Sequence, residues 1–110
     1  MSFLPSGMPK MGNAHEPKYR VVEMRQFVRD RRRLVKMGRY HMRKLEAVIA
    51  VLASGDSLPD RLKNHKLHGI LAGCEECRIE SDWLLVYRRV EDVRVLQLMR
   101  TGRHTDVFEE

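Results

Sequence analysis

The chain has 110 residues, 21 Lys and Arg against 15 Asp and Glu, a formal net charge of +6 at pH 7 and an isoelectric point near 9.7. That length suits one domain with a single modest core. Two cysteines exclude a disulfide framework, and the want of a secretory signal or long apolar run makes a reducing, cytoplasmic location the default expectation, with no membrane contact. The positive balance favours an acidic partner, nucleic acid or an acidic protein segment.

In chain order, Met1 to Pro17 is interrupted by Pro5, Gly7, Pro9, Gly12 and Pro17 and is expected to be a flexible tail, leaving residues 18–110 as the domain. Tyr19 to Met24 alternates enough for an opening strand. From Gln26 to about Lys36, Phe27, Val28, Leu34 and Val35 share a helical face while Arg29, Arg31, Arg32 and Arg33 crowd the remainder. This is a basic amphipathic helix ending near Gly38. The favoured reading of Arg31-Arg32-Arg33 is a solvated face, with contact to RNA phosphates as the alternative. A second helix follows, because Met42, Leu45, Val48, Ile49 and Leu52 recur on one face and Gly55 with Pro59 supplies the stop. Two apolar stripes in succession need a partner layer, which later strands provide.

Between Lys63 and Cys77, the set His65, His68, Cys74 and Cys77 admits a tetrahedral zinc site on ligand type alone. The geometry disfavours it: residues three apart on an extended strand face opposite sides. Cys77 therefore reads as a small buried strand residue, and Gly69 and Gly73 mark a turn or bulge. No metal and no cofactor is expected. Trp83 to Tyr87 is a nearly continuous apolar run too short for a typical helix, so it is a strand covered on both faces. Val93 to Arg100 is again β-rich, and the two runs pair as an antiparallel hairpin interrupted at Glu91-Asp92. Thr101-Gly102-Arg103-His104 is a strand exit. In that pairing, Asp82 and Trp83 lie beside Arg100 to His104. The fold class is α+β: an opening strand, a two-helix hairpin, then an antiparallel sheet.

The combination NHKLHG, GCEECRIESDWLLVY and LMRTGRHTDVF resembles the RelE/ParE toxin superfamily, within it the YafQ-like branch, over about Tyr19 to Phe108. The resemblance implies a type II toxin that is a ribosome-dependent endoribonuclease, cutting mRNA in the A site and neutralised by a small cognate antitoxin. It places functional weight on His65, Asp82, Trp83, Arg100, His104 and Phe108. The sequence departs from the branch at Arg78, where histidine is usual, and at Ser81, where proline is common.

Cleavage of RNA by its own 2'-hydroxyl needs a proton acceptor, positive charge on the phosphorane-like transition state, and an acid for the departing 5'-oxygen. Histidine suits the proton transfers, whereas arginine stays charged and suits the phosphate. The roles expected on the resemblance are therefore Arg100 and Arg78 on the transition state, His104 as general acid, and His65 or Asp82 as base or orienting group. Trp83, Phe108 and Arg103 are the expected substrate contacts. Plainer roles stand beside these: Trp83 and Phe108 as core, and Asp82 as the salt-bridge partner of Arg100 or Arg103. A non-catalytic member of the same superfold, acting like ParE toxins on a protein such as gyrase, is the alternative of different class.

Overall fold

The computed structural model describes residues 17–108. All but the last residue of the expected tail lies outside them. The chain runs β1 (Arg20–Glu23), α1 (Arg25–Met37), α2 (Met42–Ala53), β2 (His65–Lys66), β3 (Glu75–Glu80), β4 (Trp83–Val90), β5 (Val95–Gly102) and α3 (His104–Phe108), with short 3-10 turns at Asp60–Leu62, Gly69–Leu71 and Glu91–Val93. Among the described residues the strands form one five-stranded sheet in the order β1-β5-β4-β3-β2. The architecture is α+β, as expected, with one strand pairing that the pattern does not give: β1 lies parallel to β5, and all the other pairs are antiparallel.

Both long helices form where their periodicity places them. Gly38 ends α1 in the left-handed conformation, φ +75°, and donates its N–H to the Val35 carbonyl, a termination that glycine permits without Cβ strain. The face of α1 that reaches the core is Phe27, Asp30 and Leu34, whereas Val35 is 54% exposed. Spacing of three and four residues sets that stripe, and Val35 stands one residue, about a quarter turn, off it.

The core has two parts, one on each side of the sheet. On the helix side, Phe27, Leu34, Leu45 and Leu52 pack against Cys77, Trp83, Leu85, Tyr87, Leu96 and Leu98. On the other side, Cys74, Val86 and Val107 are buried with Leu67, Leu71, Met99 and Phe108 against them. Trp83 to Tyr87 is buried throughout, because alternate residues of this central strand serve the two cores. The β4–β5 hairpin closes through the Glu91–Val93 turn with Arg94 in the left-handed region, φ +51°. No described helix is long and apolar enough to cross a membrane.

Candidate active site

Sheet register assembles the second face. His65 lies directly opposite Glu76, Glu76 opposite Val86, and Val86 opposite Arg100. Directly opposed residues point to the same side of a sheet, so these four form one row across β2 to β5, about 14 Å from first to last at ordinary strand spacing. The next row along the strands is Arg78, Leu84 and Gly102. Arg78 is exposed there, and the chain leaves the sheet at Gly102 to enter α3.

At one end of the row, the His65 Nδ1 is 2.9 Å from the Lys63 carbonyl oxygen. A carbonyl only accepts, so Nδ1 carries the proton and Nε2 presents a lone pair in the neutral ring. Nε2 lies 3.8 Å from Glu76 Oε1. Glu76 is 9% exposed, a carboxylate placed to meet the positive charge that proton uptake creates on His65.

At the other end, Arg100 donates from Nε to Asp30 Oδ2 at 2.8 Å and from Nη2 to Asp30 Oδ1 at 3.4 Å. It also donates to two α3 carbonyls, Asp106 at 3.2 Å and Val107 at 3.4 Å. The carboxylate that holds Arg100 is thus Asp30, seventy residues away, which pattern reading placed on no functional list. Its signal in the sequence is position: an acid on the apolar stripe of α1, between Phe27 and Leu34, needs a buried partner.

The short helix α3 carries His104 and Phe108, whose rings are 5.0 Å apart. Its first turn is capped twice. The His104 N–H donates to Asp82 Oδ1 at 3.3 Å, and the Arg103 N–H to Asp106 Oδ2 at 3.2 Å, so two donors left over at the helix start find carboxylates. The Arg103 guanidinium donates to the same Asp106 carboxylate, at 3.2 and 3.3 Å, and holds it below its ordinary pKa. Asp82 thereby places His104 through its backbone. Gly102, at φ +149°, is the strand's last residue, and a Cβ there would stand 3.4 Å from Asp106 Cβ.

Trp83 is a correction. It is 1% exposed, its edge meets Tyr40 and its Nε1–H donates to Thr101 Oγ1 at 2.9 Å, so it is core and offers no face to a base. Arg103 lines a separate depression with Arg39, Tyr40, Asp82 and Trp83. Phe108 is half-buried at the edge of a cavity of about 620 Å³ that also includes Leu67, His68, Ile70, Met99 and Arg100. The four zinc candidates do not converge. Cys74 and Cys77 belong to opposite cores, His65 and His68 are exposed, and burial pushes the Cys77 thiol up to about 12. Among the described residues no group of three or more His, Cys, Asp and Glu side chains is arranged to hold a metal ion.

The family described as bacterial toxin of type II toxin-antitoxin system, YafQ, matches residues 19–109. The chain belongs to the YafQ toxin family. The mRNA interferase toxin YafQ of Escherichia coli K12 is 32% identical over 68 residues, 61% of this chain and 72% of that one. YafQ in the Escherichia coli DinJ-YafQ complex superposes with a TM-score of 0.72 at 27% identity, over 82% of this chain and 98% of that one. A metal-bound toxin from Helicobacter pylori does so with a TM-score of 0.74 at 32% identity, over 80% and 97%. Of the two departures from the YafQ-like pattern, Arg78 adds a cation to the open face. Ser81 has φ +44°, a conformation that proline's ring forbids.

Proposed function

We propose that this toxin is a ribosome-dependent endoribonuclease that cleaves mRNA in the A site and is held inactive by a small cognate antitoxin. In this reading the substrate's 2'-hydroxyl loses its proton to His65 Nε2 as the bond from O2' to phosphorus forms. His104 delivers a proton to the departing 5'-oxygen as the bond from phosphorus to O5' breaks. The products are a 2',3'-cyclic phosphate and a 5'-hydroxyl. Arg78 supplies charge to the transition state, Arg100 adds to it while holding α3, and Phe108 is the aromatic surface left for a base once Trp83 is assigned to the core.

The observation that carries the reading is His65, a ring with its Nδ1 proton committed to a carbonyl, its Nε2 lone pair beside a buried carboxylate, and a sheet face shared with Arg100. A toxin that acts only by binding a protein target needs no such arrangement. Family membership and the name of the Escherichia coli relative support the same activity.

The test is cleavage of a defined mRNA on programmed ribosomes, with free RNA as control. Wild type is expected to cut only with ribosomes present. His104→Ala should lose about 10²- to 10⁴-fold, the usual contribution of a general acid, and Arg78→His should restore a second titrating group and raise the rate. Absence of cleavage by folded wild type would sink the reading and turn attention to a protein target such as gyrase.

A further inference from the structure

Asp30 is the sole acid among the thirteen residues of α1 and is 1% exposed. A buried carboxylate is tolerated only when its oxygens are met by donors, and here the donors come from two elements. From β5, Arg100 binds it side-on through Nε and Nη2, and the Thr101 N–H donates to Oδ2 at 3.0 Å. From α1 itself, Gln26 Nε2 donates at 3.2 Å, and Arg33 Nη2 lies 3.6 Å away. Pairing of β1 with β5 stops at Leu98, so Asp30 takes the place of the missing strand partner at Thr101.

The same guanidinium reaches α3 with Nη1 and Nη2. A helix of five residues does not hold itself in water, and the Val107 N–H to Arg103 carbonyl bond, 3.1 Å, accompanies a single turn. The place of α3 is therefore set from outside: by Asp82 at its start, by Val107 in the second core, by Arg100 at its terminal carbonyls, and more loosely by Arg33, whose Nη2 lies 3.9 Å from Asp106 Oδ2. Arginine on a flexible stem serves as such a strut only if its plane is fixed, and side-on pairing with Asp30 fixes it.

We infer that Asp30 is a positioning residue for the cleavage reaction: acting through Arg100, it sets where α3 holds His104 and Phe108. The inference rests on the endoribonuclease reading for its kinetic consequence but not for its structural one. Asp30 meets the Nε–Nη2 edge of the guanidinium, whose Nη1 and Nη2 go on to the α3 carbonyls, and it is given no contact with a reacting atom in the proposed reaction. Misplacement of a catalytic group by about 1 Å costs on the order of 10²-fold in rate.

The test uses Asp30→Asn, which keeps the size and one acceptor for the Thr101 N–H but loses the charge that holds Arg100. Amide hydrogen exchange, read without ribosomes, is expected to quicken at Val107 while the β4 amides keep wild-type protection. On programmed ribosomes kcat should fall about 10²-fold with little change in KM. Adding His104→Ala to Asp30→Asn should cost far less than it does in wild type, because both changes remove the same placed group. Wild-type protection at Val107, or a His104→Ala effect that simply adds, overturns the inference. If wild type cleaves nothing, the endoribonuclease reading fails and the exchange measurement still decides the structural claim. If Asp30→Asn does not fold, Asp30→Glu keeps the charge and displaces it by one methylene. A slowed kcat in that variant supports the inference, and a wild-type kcat overturns it.

Discussion

Ser81 holds φ +44° in the turn that delivers Asp82 to the His104 N–H. The left-handed region costs a residue with a Cβ about 1–2 kcal/mol. Ser81→Gly is therefore expected to raise the unfolding midpoint, whereas Ser81→Pro, locked near φ −65°, should lower it and detach Asp82 from α3. Denaturant titration of the three proteins checks this, and a proline variant as stable as wild type would refute the turn geometry. A second residue-scale outcome concerns Glu76. If it serves His65, Glu76→Gln should slow ribosome-dependent cleavage while leaving the ring in place, and should do nothing in a His65→Ala background, since only the pair then matters. The two buried acids mark how far single residues were legible. His65, Asp82, Arg100, His104 and Phe108 were marked by motif; register puts His65 and Arg100 in one row of the sheet, and Asp82 meets the start of the short helix that carries His104 and Phe108. Glu76 was hidden because only strand register puts it opposite His65. Asp30 was hidden because a lone acid among arginines looks like part of a solvated face until the stripe through Phe27 and Leu34 is drawn. Trp83 carried two readings, substrate contact and core, because a motif tryptophan at a strand start looks the same whether it faces solvent or core; its burial decides for core.

At the scale of elements, α1, α2 and the β4–β5 hairpin were legible because each has enough residues for a period to show. The two-residue β2 and the five-residue α3 have no period, and α3 depends on the Asp82 cap from another turn and on an Arg100 strut that is itself fixed by Asp30, both pairings long-range in sequence. That dependence gives α3 a pH response of defined sign. Asp106 is held below its ordinary value of 3.8, first by the hydrogen bond from Arg103. A depressed folded-state pKa means that its contribution is complete above the unfolded value and is lost as pH falls through the folded one. The α3 amides should therefore lose exchange protection below about pH 4, before the β4 amides do. In Arg103→Ala the hydrogen bond that lowers Asp106 is gone, so α3 protection should be weaker at neutral pH and its further fall with acid smaller. A wild-type acid response in that variant would remove the Arg103–Asp106 pair from the anchoring of α3.

For the molecule as a whole, the net charge of +6 is not spread evenly. Arg25, Arg29, Arg32 and Lys36 are exposed and recur at i, i+4, i+7 and i+11, one stripe of α1 opposite Phe27 and Leu34. Successive members stand one turn apart, about 5.4 Å, and each cation that neutralises a nucleic-acid phosphate releases a counterion. Since α1 covers the end of β5 beside Arg100, the stripe lies outside the open sheet face and away from the groups proposed to react. Replacing all four by alanine takes the formal charge from +6 to +2 and should leave single-turnover cleavage by already bound toxin unchanged. Association with ribosomes should weaken, and the slope of log K against log salt should flatten by about three, at roughly 0.7–0.9 per phosphate contact. Binding measured across a salt series checks it. A slope equal to wild type would mean that the stripe is only solvated surface, the reading favoured on sequence for Arg31-Arg32-Arg33, and would leave the sheet face around Arg78 as the proposed RNA contact.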